Sequence, residues 1–396
     1  MSIPRSLSRR TALALILMGL SSFAPLASHR SAAAKAPVEK TYAPREVDGA
    51  RLFYEGSIPV AVLTGSPSEL GRQQAALVAD VSGPIMAFAK KFAAEFHIEF
   101  LWPVVRQAGK LLMHNAPQAY QDELAELAEA GRLDAADLAV FNTLLELRRM
   151  GCSAIVVDGE HATTGAPLFG RNFDFPTLGV LHKYSLLLIV RPTGKHAFAS
   201  IAFPGAVGVV SGMNDAGLSV GTLDVYETGD GSSMFDPTGA PLAMTFRRIL
   251  EECTTVEQAV ELLKSVKRTT CMNLMVCDVH GGAVLEITPK QVARRDAESS
   301  EHVVACTNHF RLKGLAVDTE CWRYPLLMEA AQGPKLDVAA VQRRLDAANQ
   351  GADTLQTMVF EPRELRLHVA FGAGPTSALP LEKIDLKSLF EWSVKP

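Results

Sequence analysis

The order of apolar and polar positions changes character near residue 152. Before it, IPVAVLT (58–64) is a short apolar run that predicts a strand. SPSE (66–69) then predicts a helix start, with Ser66 as N-cap, Pro67 at the first helical position and Glu69 closing a capping box. The helical pattern runs on toward Leu112, with breaks predicted at Gly83-Pro84 and at Pro103. Phe88, Phe92, Phe96 and Phe100 recur every fourth residue, a stripe that suits core packing or, alternatively, an apolar acyl pocket or lipid-facing surface. Residues 122–150 read as two helices broken at Gly131, the second opened by Asp134 with Asp137 in the capping-box position.

After Cys152 the pattern becomes glycine-punctuated apolar segments: SAIVV, PLFGRNFDF, YSLLLIVRP, AFASIAFPG and VGVVSGMNDAGLSVGTL. These predict strands joined by turns. Two helices follow within 241–266, with a Thr255/Gln258 capping box between them, then a hairpin around His280-Gly281-Gly282. A helix over 338–349 and two strands, TMVFEP and LRLHVAFG, complete the pattern. Helices, then strands, helices and strands without an internal repeat predict a layered α+β fold with antiparallel sheets.

Composition adds a leader and a charge sign. Residues 1–34 have a basic start, an apolar stretch from Ala12 to Leu20 and small residues ending in Ala32-Ala33-Ala34, the layout of an export signal cut after Ala34. Arg9-Arg10 before the apolar stretch suggests the twin-arginine route. The stretch is broken by Gly19, Ser21, Ser22 and Pro25, against the about 20 apolar residues that a membrane span needs. The expectation is therefore a periplasmic or extracellular protein with no stable membrane insertion once the signal is removed. Losing Arg5, Arg9, Arg10 and Arg30 leaves 35 of the 39 basic residues against 43 acidic ones, a net charge of −8. Such a surface argues against a nucleic-acid partner. The six cysteines show neither CxxC nor zinc-type spacing with histidine, and no metal or cofactor is expected. Folding in a reducing cytosol before export would leave them as free thiols.

Three motif matches carry little. GLSVG (217–221) has the spacing of a serine nucleophile elbow, but a turn precedes it and no helix former follows. TGK (193–195) lacks the rest of a phosphate loop, and Gly205, Gly208 and Gly212 lack dinucleotide-binding spacing. Cys152 is different. The β-branched residues after it place the thiol at the start of a strand, which fits poorly with a helix-borne thiol served by a distant histidine. Cutting the chain between Gly151 and Cys152 would instead give the nucleophile its own base, because an α-amine has a pKa of about 7.7–8.0. Gly151 suits the scissile position by leaving its carbonyl open to attack. The bland alternative is an inert buried thiol.

GCSAIVV, GRNFDF and CTNHF, in this order, resemble the isopenicillin N acyltransferase-like (peptidase C45-type) branch of the N-terminal-nucleophile hydrolases, whose wider relatives include acid ceramidase, N-acylethanolamine acid amidase and bile salt hydrolases. LTGSPSELGRQQ, GMNDAGLSVG, RRILEECTTVEQAVELL and NLMVCDVHGGAVLEITP extend the resemblance over most of the chain. It implies a four-layer αββα sandwich, and self-cleavage that separates an N-terminal helical chain (35–151) from a catalytic chain (152–396). It implies that Arg171 lies beside the thiol, that Asp174 holds the α-amine and that Asn308 donates to the oxyanion. Arg323 matches a downstream arginine, although relatives tend to have Ser where this chain has Cys321. Asp224 falls where bile salt hydrolases place an asparagine and other relatives an acid. His309 reads as structural, since the α-amine would already serve as base. The implied reaction is hydrolysis of a linear amide bond of an N-acylated small molecule or peptide through an acyl-enzyme. The alternatives are transfer of that acyl group to an amine, and an uncut binding protein that keeps Cys152 inside.

Overall fold

The computed structural model describes residues 41–392 other than 96, 98, 144, 145, 147–149, 299 and 300, so the proposed leader lies outside the described residues. The apolar runs pair into two sheets. The larger holds ten strands in the order β1 (Arg45–Val47), β2 (Ala50–Glu55), β3 (Ile58–Gly65), β6 (Leu186–Pro192), β7 (Phe198–Ala202), β8 (Ser211–Asn214), β9 (Ser219–Asp224), β10 (Met272–Cys277), β11 (Gly282–Ile287) and β12 (Val292–Arg295). The smaller holds six, in the order β13 (Val303–Cys306), β4 (Gly151–Val157), β5 (Leu168–Asp174), β14 (Thr354–Glu361), β15 (Arg366–Phe371) and β16 (Glu382–Asp385).

The period of two along β4 shows how the layers stack. Cys152, Ala154 and Val156 enter the core between the sheets, whereas Ile155 and Val157 pack in a second core. That second core is closed by Leu327 of α7 (Arg323–Met328) and by Val341 and Leu345 of α8 (Val338–Ala347). Against the larger sheet pack α1 (Pro67–Glu95), α5 (Leu242–Glu252) and α6 (Val256–Ser265). The result is an αββα sandwich. Among the described residues no helix is long and apolar enough to cross a membrane.

The local signals place most elements. Ser66 and Glu69 form the capping box, the Ser66 N–H donating to Glu69 Oε2 at 2.7 Å. Asp134 caps α4 (Ala135–Asn142) by accepting from the N–H groups of Ala136 and Asp137. Thr255 caps α6 by accepting from the Gln258 N–H. The hairpin of β10 and β11 turns where the glycines predict.

Four expectations change. α1 runs unbroken through Gly83-Pro84, because both residues face solvent and the exposed Asp80 leaves its backbone open to water. Ile85, Met86 and Phe88 continue its buried face. The phenylalanine stripe is not one continuous face: Phe96 lies outside the described residues, Phe88 is buried, and Phe100 is exposed beyond the end of α1. The segment before Cys152 is not merely helical. Besides α1, α2 (Trp102–Met113), α3 (Gln118–Gly131), α4 and the expected β3, it supplies β1 and β2 to the larger sheet. Finally, β3 lies parallel to β6 in otherwise antiparallel sheets. The long crossover between them, through four helices and two strands of the other sheet, permits that direction.

Candidate active site

The site assembles where β4, β5 and the turn after β13 begin or end. Cys152 and Phe173 are paired across β4 and β5, which sets Arg171 two residues away on the same face. Arg171 and Cys152 are both fully buried, and Arg171 Nη2 reaches Cys152 Sγ at 3.5 Å. The guanidinium is fixed by donating to the Val210 carbonyl at 2.7 Å and to Thr222 Oγ1 at 3.4 Å, and it lies over the Phe173 ring. Gly221 lets it in, since a Cβ there would sit 2.9 Å from Arg171 Nη1.

The backbone on both sides of the Gly151–Cys152 bond is pinned. The Met150 N–H donates to Asp224 Oδ2 at 2.9 Å, and the Met150 carbonyl accepts from Asn308 Nδ2 at 3.0 Å and Tyr226 Oη at 2.7 Å. The Cys152 N–H donates to Asn308 Oδ1 at 2.9 Å, and the Cys152 carbonyl accepts from Arg323 Nη1 at 2.5 Å. Arg323, the first residue of α7, also donates to Asn308 Oδ1 at 2.8 Å and lies 3.8 Å from Asp174 Oδ2. The turn carrying Asn308 is held by Asn273 of β10, which donates to the carbonyls of Thr307 and His309.

Cys152, Gly151, Arg171, Asp174, Asn308, Arg323 and Asp224 therefore meet in one cluster, but two contacts differ from those the resemblance implies. In the uncut chain the Cys152 nitrogen bonds Asn308, not Asp174, whose carboxylate accepts from Thr354 Oγ1 at 2.6 Å and Gln350 Nε2 at 2.9 Å. The Asn308 amide nitrogen is occupied by the Met150 and Asp224 carbonyls, so it is not yet available to an oxyanion. Charge follows the same logic. Burial pushes the Cys152 thiol up to about 11; Arg171 pulls it down, and Asp174 and Asp224 push it further up. Burial also raises Asp174, against the pull of Arg323, Thr354 and Gln350. The uncut site thus holds a neutral thiol.

Tyr226, Gln350 and Thr354 escaped the sequence reading, because distant elements bring them together and no local spacing marks them. Cys321 escaped as a reactive group. Burial would raise it, but hydrogen bonds with His309 and Thr307 and the charge of Arg323 outweigh burial and hold it at about 6. Its sulfur lies 3.4 Å from Thr307 Oγ1, itself 3.0 Å from His309 Nδ1, so His309 is linked through Thr307 to this thiol. Cys321 is partly exposed. Iodoacetamide at pH 7 should therefore alkylate Cys321 more than tenfold faster than Cys152 in the uncut chain. The Cys321 rate should rise through about pH 6 to a plateau, as read by peptide mass mapping.

Phe173, the residue paired with Cys152, and Met150, two residues before it, line an apolar cleft whose walls also include Phe88, Phe141, Phe175 and Phe203.

Residues 161–324, which include Arg171, Asp174, Asp224, Asn308 and Arg323, match the family described as acyl-coenzyme A:6-aminopenicillanic acid acyl-transferase. The 40 kDa form of acyl-coenzyme A:6-aminopenicillanic-acid-acyltransferase of Emericella nidulans is 25% identical over 259 residues, 62% of this chain and 67% of that protein. Over these segments the chain is similar to that acyltransferase family. An uncharacterized protein of Archaeoglobus fulgidus is 26% identical over 321 residues, 67% of this chain, which spans only 53% of that protein's length. Among solved structures, an ortholog of N-acylethanolamine-hydrolyzing acid amidase from Caenorhabditis elegans aligns with a TM-score of 0.42 at 17% identity, covering 53% of this chain and 93% of that one. A single-residue variant of conjugated bile acid hydrolase from Clostridium perfringens aligns with a TM-score of 0.45 at 14% identity, covering 60% and 93%. The αββα sandwich described above is read from the layers and strand order of this chain.

Proposed function

We propose that this chain is a self-cleaving cysteine amidase, exported by its leader, that hydrolyses a linear amide bond of an N-acylated small molecule or peptide. The observation that carries the proposal is the contact of a buried guanidinium with a strand-initial thiol whose flanking peptide groups are pinned on both sides. In self-cleavage the Cys152 sulfur adds to the Gly151 carbonyl and the Cys152 nitrogen leaves as an amine, giving a thioester that water hydrolyses. Departure of the Met150–Gly151 end frees the Asn308 amide donor for the oxyanion of a substrate. The new α-amine, a hydrogen bond from Asn308 Oδ1, takes the thiol proton and passes it to the leaving amine. Water then releases the acyl group from sulfur. The aromatic cleft suits an apolar acyl group.

The similarity to an acyltransferase family favours a second reading, in which an amine replaces water at the acyl-enzyme. Intact-mass measurement of the purified protein tests the first step: a chain beginning at Cys152 supports it, and a chain that stays whole at neutral and mildly acidic pH sinks it. A panel of N-acyl amides with and without an added amine, followed by mass spectrometry, separates hydrolysis from transfer.

A further inference from the structure

We propose that the acyl group this site accepts is itself peptide-like: an unbranched methylene beside the scissile carbonyl, a backbone amide one residue further back, and an apolar side chain on that residue. The inference rests on the preceding reading that Cys152 is freed by self-cleavage. In that step the group delivered to sulfur is the chain's own Met150–Gly151 end, and the substrate's acyl group is later delivered to the same sulfur. The space and the partners vacated by the first are those offered to the second.

Those partners are specific. One residue before the scissile bond, the Met150 N–H meets Asp224 Oδ2 at 2.9 Å, and its carbonyl meets Tyr226 Oη at 2.7 Å and Asn308 Nδ2 at 3.0 Å. With Asn308 Nδ2 given over to the oxyanion, Asp224 as acceptor and Tyr226 as donor still read the N–H and the carbonyl of that one residue, which a plain alkyl chain cannot supply. A site built to make such bonds discriminates against analogues that lack them, because its polar groups are then left unpaired. The Met150 side chain, buried, forms part of the wall of the aromatic cleft, so an apolar side chain belongs there. At position 151 the site admits no branch. A Cβ there would collide with Gln350 Nε2 and come within 3.3 Å of Asp174 Cβ. Gln350 is not free to swing away without losing its bond to Asp174 Oδ2.

The test compares three 4-nitroanilides on protein whose cut fraction has been measured by intact mass: N-acetyl-Met-Gly, N-acetyl-Met-Ala and hexanoyl. N-acetyl-Met-Gly should exceed hexanoyl by at least tenfold in kcat/KM, and N-acetyl-Met-Ala by about a hundredfold. Tyr226→Phe should narrow the preference for N-acetyl-Met-Gly over hexanoyl by about tenfold. Calorimetric binding of the free acids N-acetyl-Met-Gly and hexanoate to the cut protein gives a readout independent of turnover, and the peptide acid should bind more tightly. Cut protein that prefers hexanoyl, or that binds the two acids equally, overturns this inference and leaves the amidase reading standing. Protein that stays uncut overturns the amidase reading and this inference with it.

Discussion

Replacing Cys152 with alanine leaves one uncut chain and lowers amide hydrolysis by at least a thousandfold, the loss expected when a covalent nucleophile is removed. The fold should survive, because the side chain lost is small and β4 pairs with β5 along its whole length. Cys152→Ser separates the two roles of the sulfur. A hydroxyl is a far weaker nucleophile than a thiol without a strong base, and in the uncut chain the α-amine does not yet exist. Serine should therefore slow self-cleavage strongly while preserving the backbone bonds to Asn308 and Arg323. Intact mass reads the cut, and release of acid from an N-acyl amide reads turnover. An alanine variant that is cut like the parent would remove Cys152 from the mechanism. Arg171→Met refines the same test. The guanidinium lowers the thiol against a larger burial effect, so its loss should slow cleavage without abolishing it, and raising the pH should restore part of the rate.

The chain revealed its strands and its candidate nucleophile more readily than the rest of the candidate site. Cys152 could be read because a β-branched run follows it and a glycine precedes it, and strand β4 begins where that pattern says. Arg171 came from the resemblance: the pairing of Cys152 with Phe173 that puts it on the thiol's face has no trace in the sequence. Asp174, Asn308 and Arg323 came from the resemblance, and their partners did not come at all. Gln350 and Thr354 reach Asp174 across more than 170 positions of sequence, and Tyr226 reaches Met150 across 76. Contacts of that separation leave no periodic trace. The same limit hid the parallel pairing of β3 with β6, since the apolar run of β3 reads alike in either direction. Pro84 misled in the opposite way: its local penalty is real, but the buried face of α1 on either side of it outweighs that cost.

Arg247→Met should destabilise the uncut Cys152→Ala chain by about 3–5 kcal/mol, measured by urea unfolding, and should loosen the two halves once the chain is cut. Arg247 is buried on α5, after the proposed cut, and its Nη2 pairs with Glu123 of α3, before the cut, at 2.7 Å. Its Nε pairs with Glu251 at 2.7 Å, its Nη1 donates to the Val207 carbonyl at 3.1 Å, and its guanidinium lies 4.5 Å from the Tyr120 ring centre. Glu251 keeps further partners in Tyr120 and Lys195, whereas burial pushes Glu123 upward and Arg247 supplies the opposing charge. Methionine fills much of the same volume but strands the Glu123 carboxylate in the interior, and the penalty comes from that uncompensated charge rather than from lost packing. Adding Glu123→Gln should accordingly recover part of the loss, because the remaining acid retains Lys195. In the cut protein the halves are also joined by the β3–β6 pairing, by Gln74, which bonds the backbone of Gly205 and Ala206, and by Asn142, which bonds that of Gly205 and Val207, among other contacts. Wild type should then elute as one particle while separating under denaturing conditions, and Arg247→Met should shed the smaller chain at lower urea. If the single and double variants lose the same stability, the clamp is not electrostatic and packing alone joins the halves.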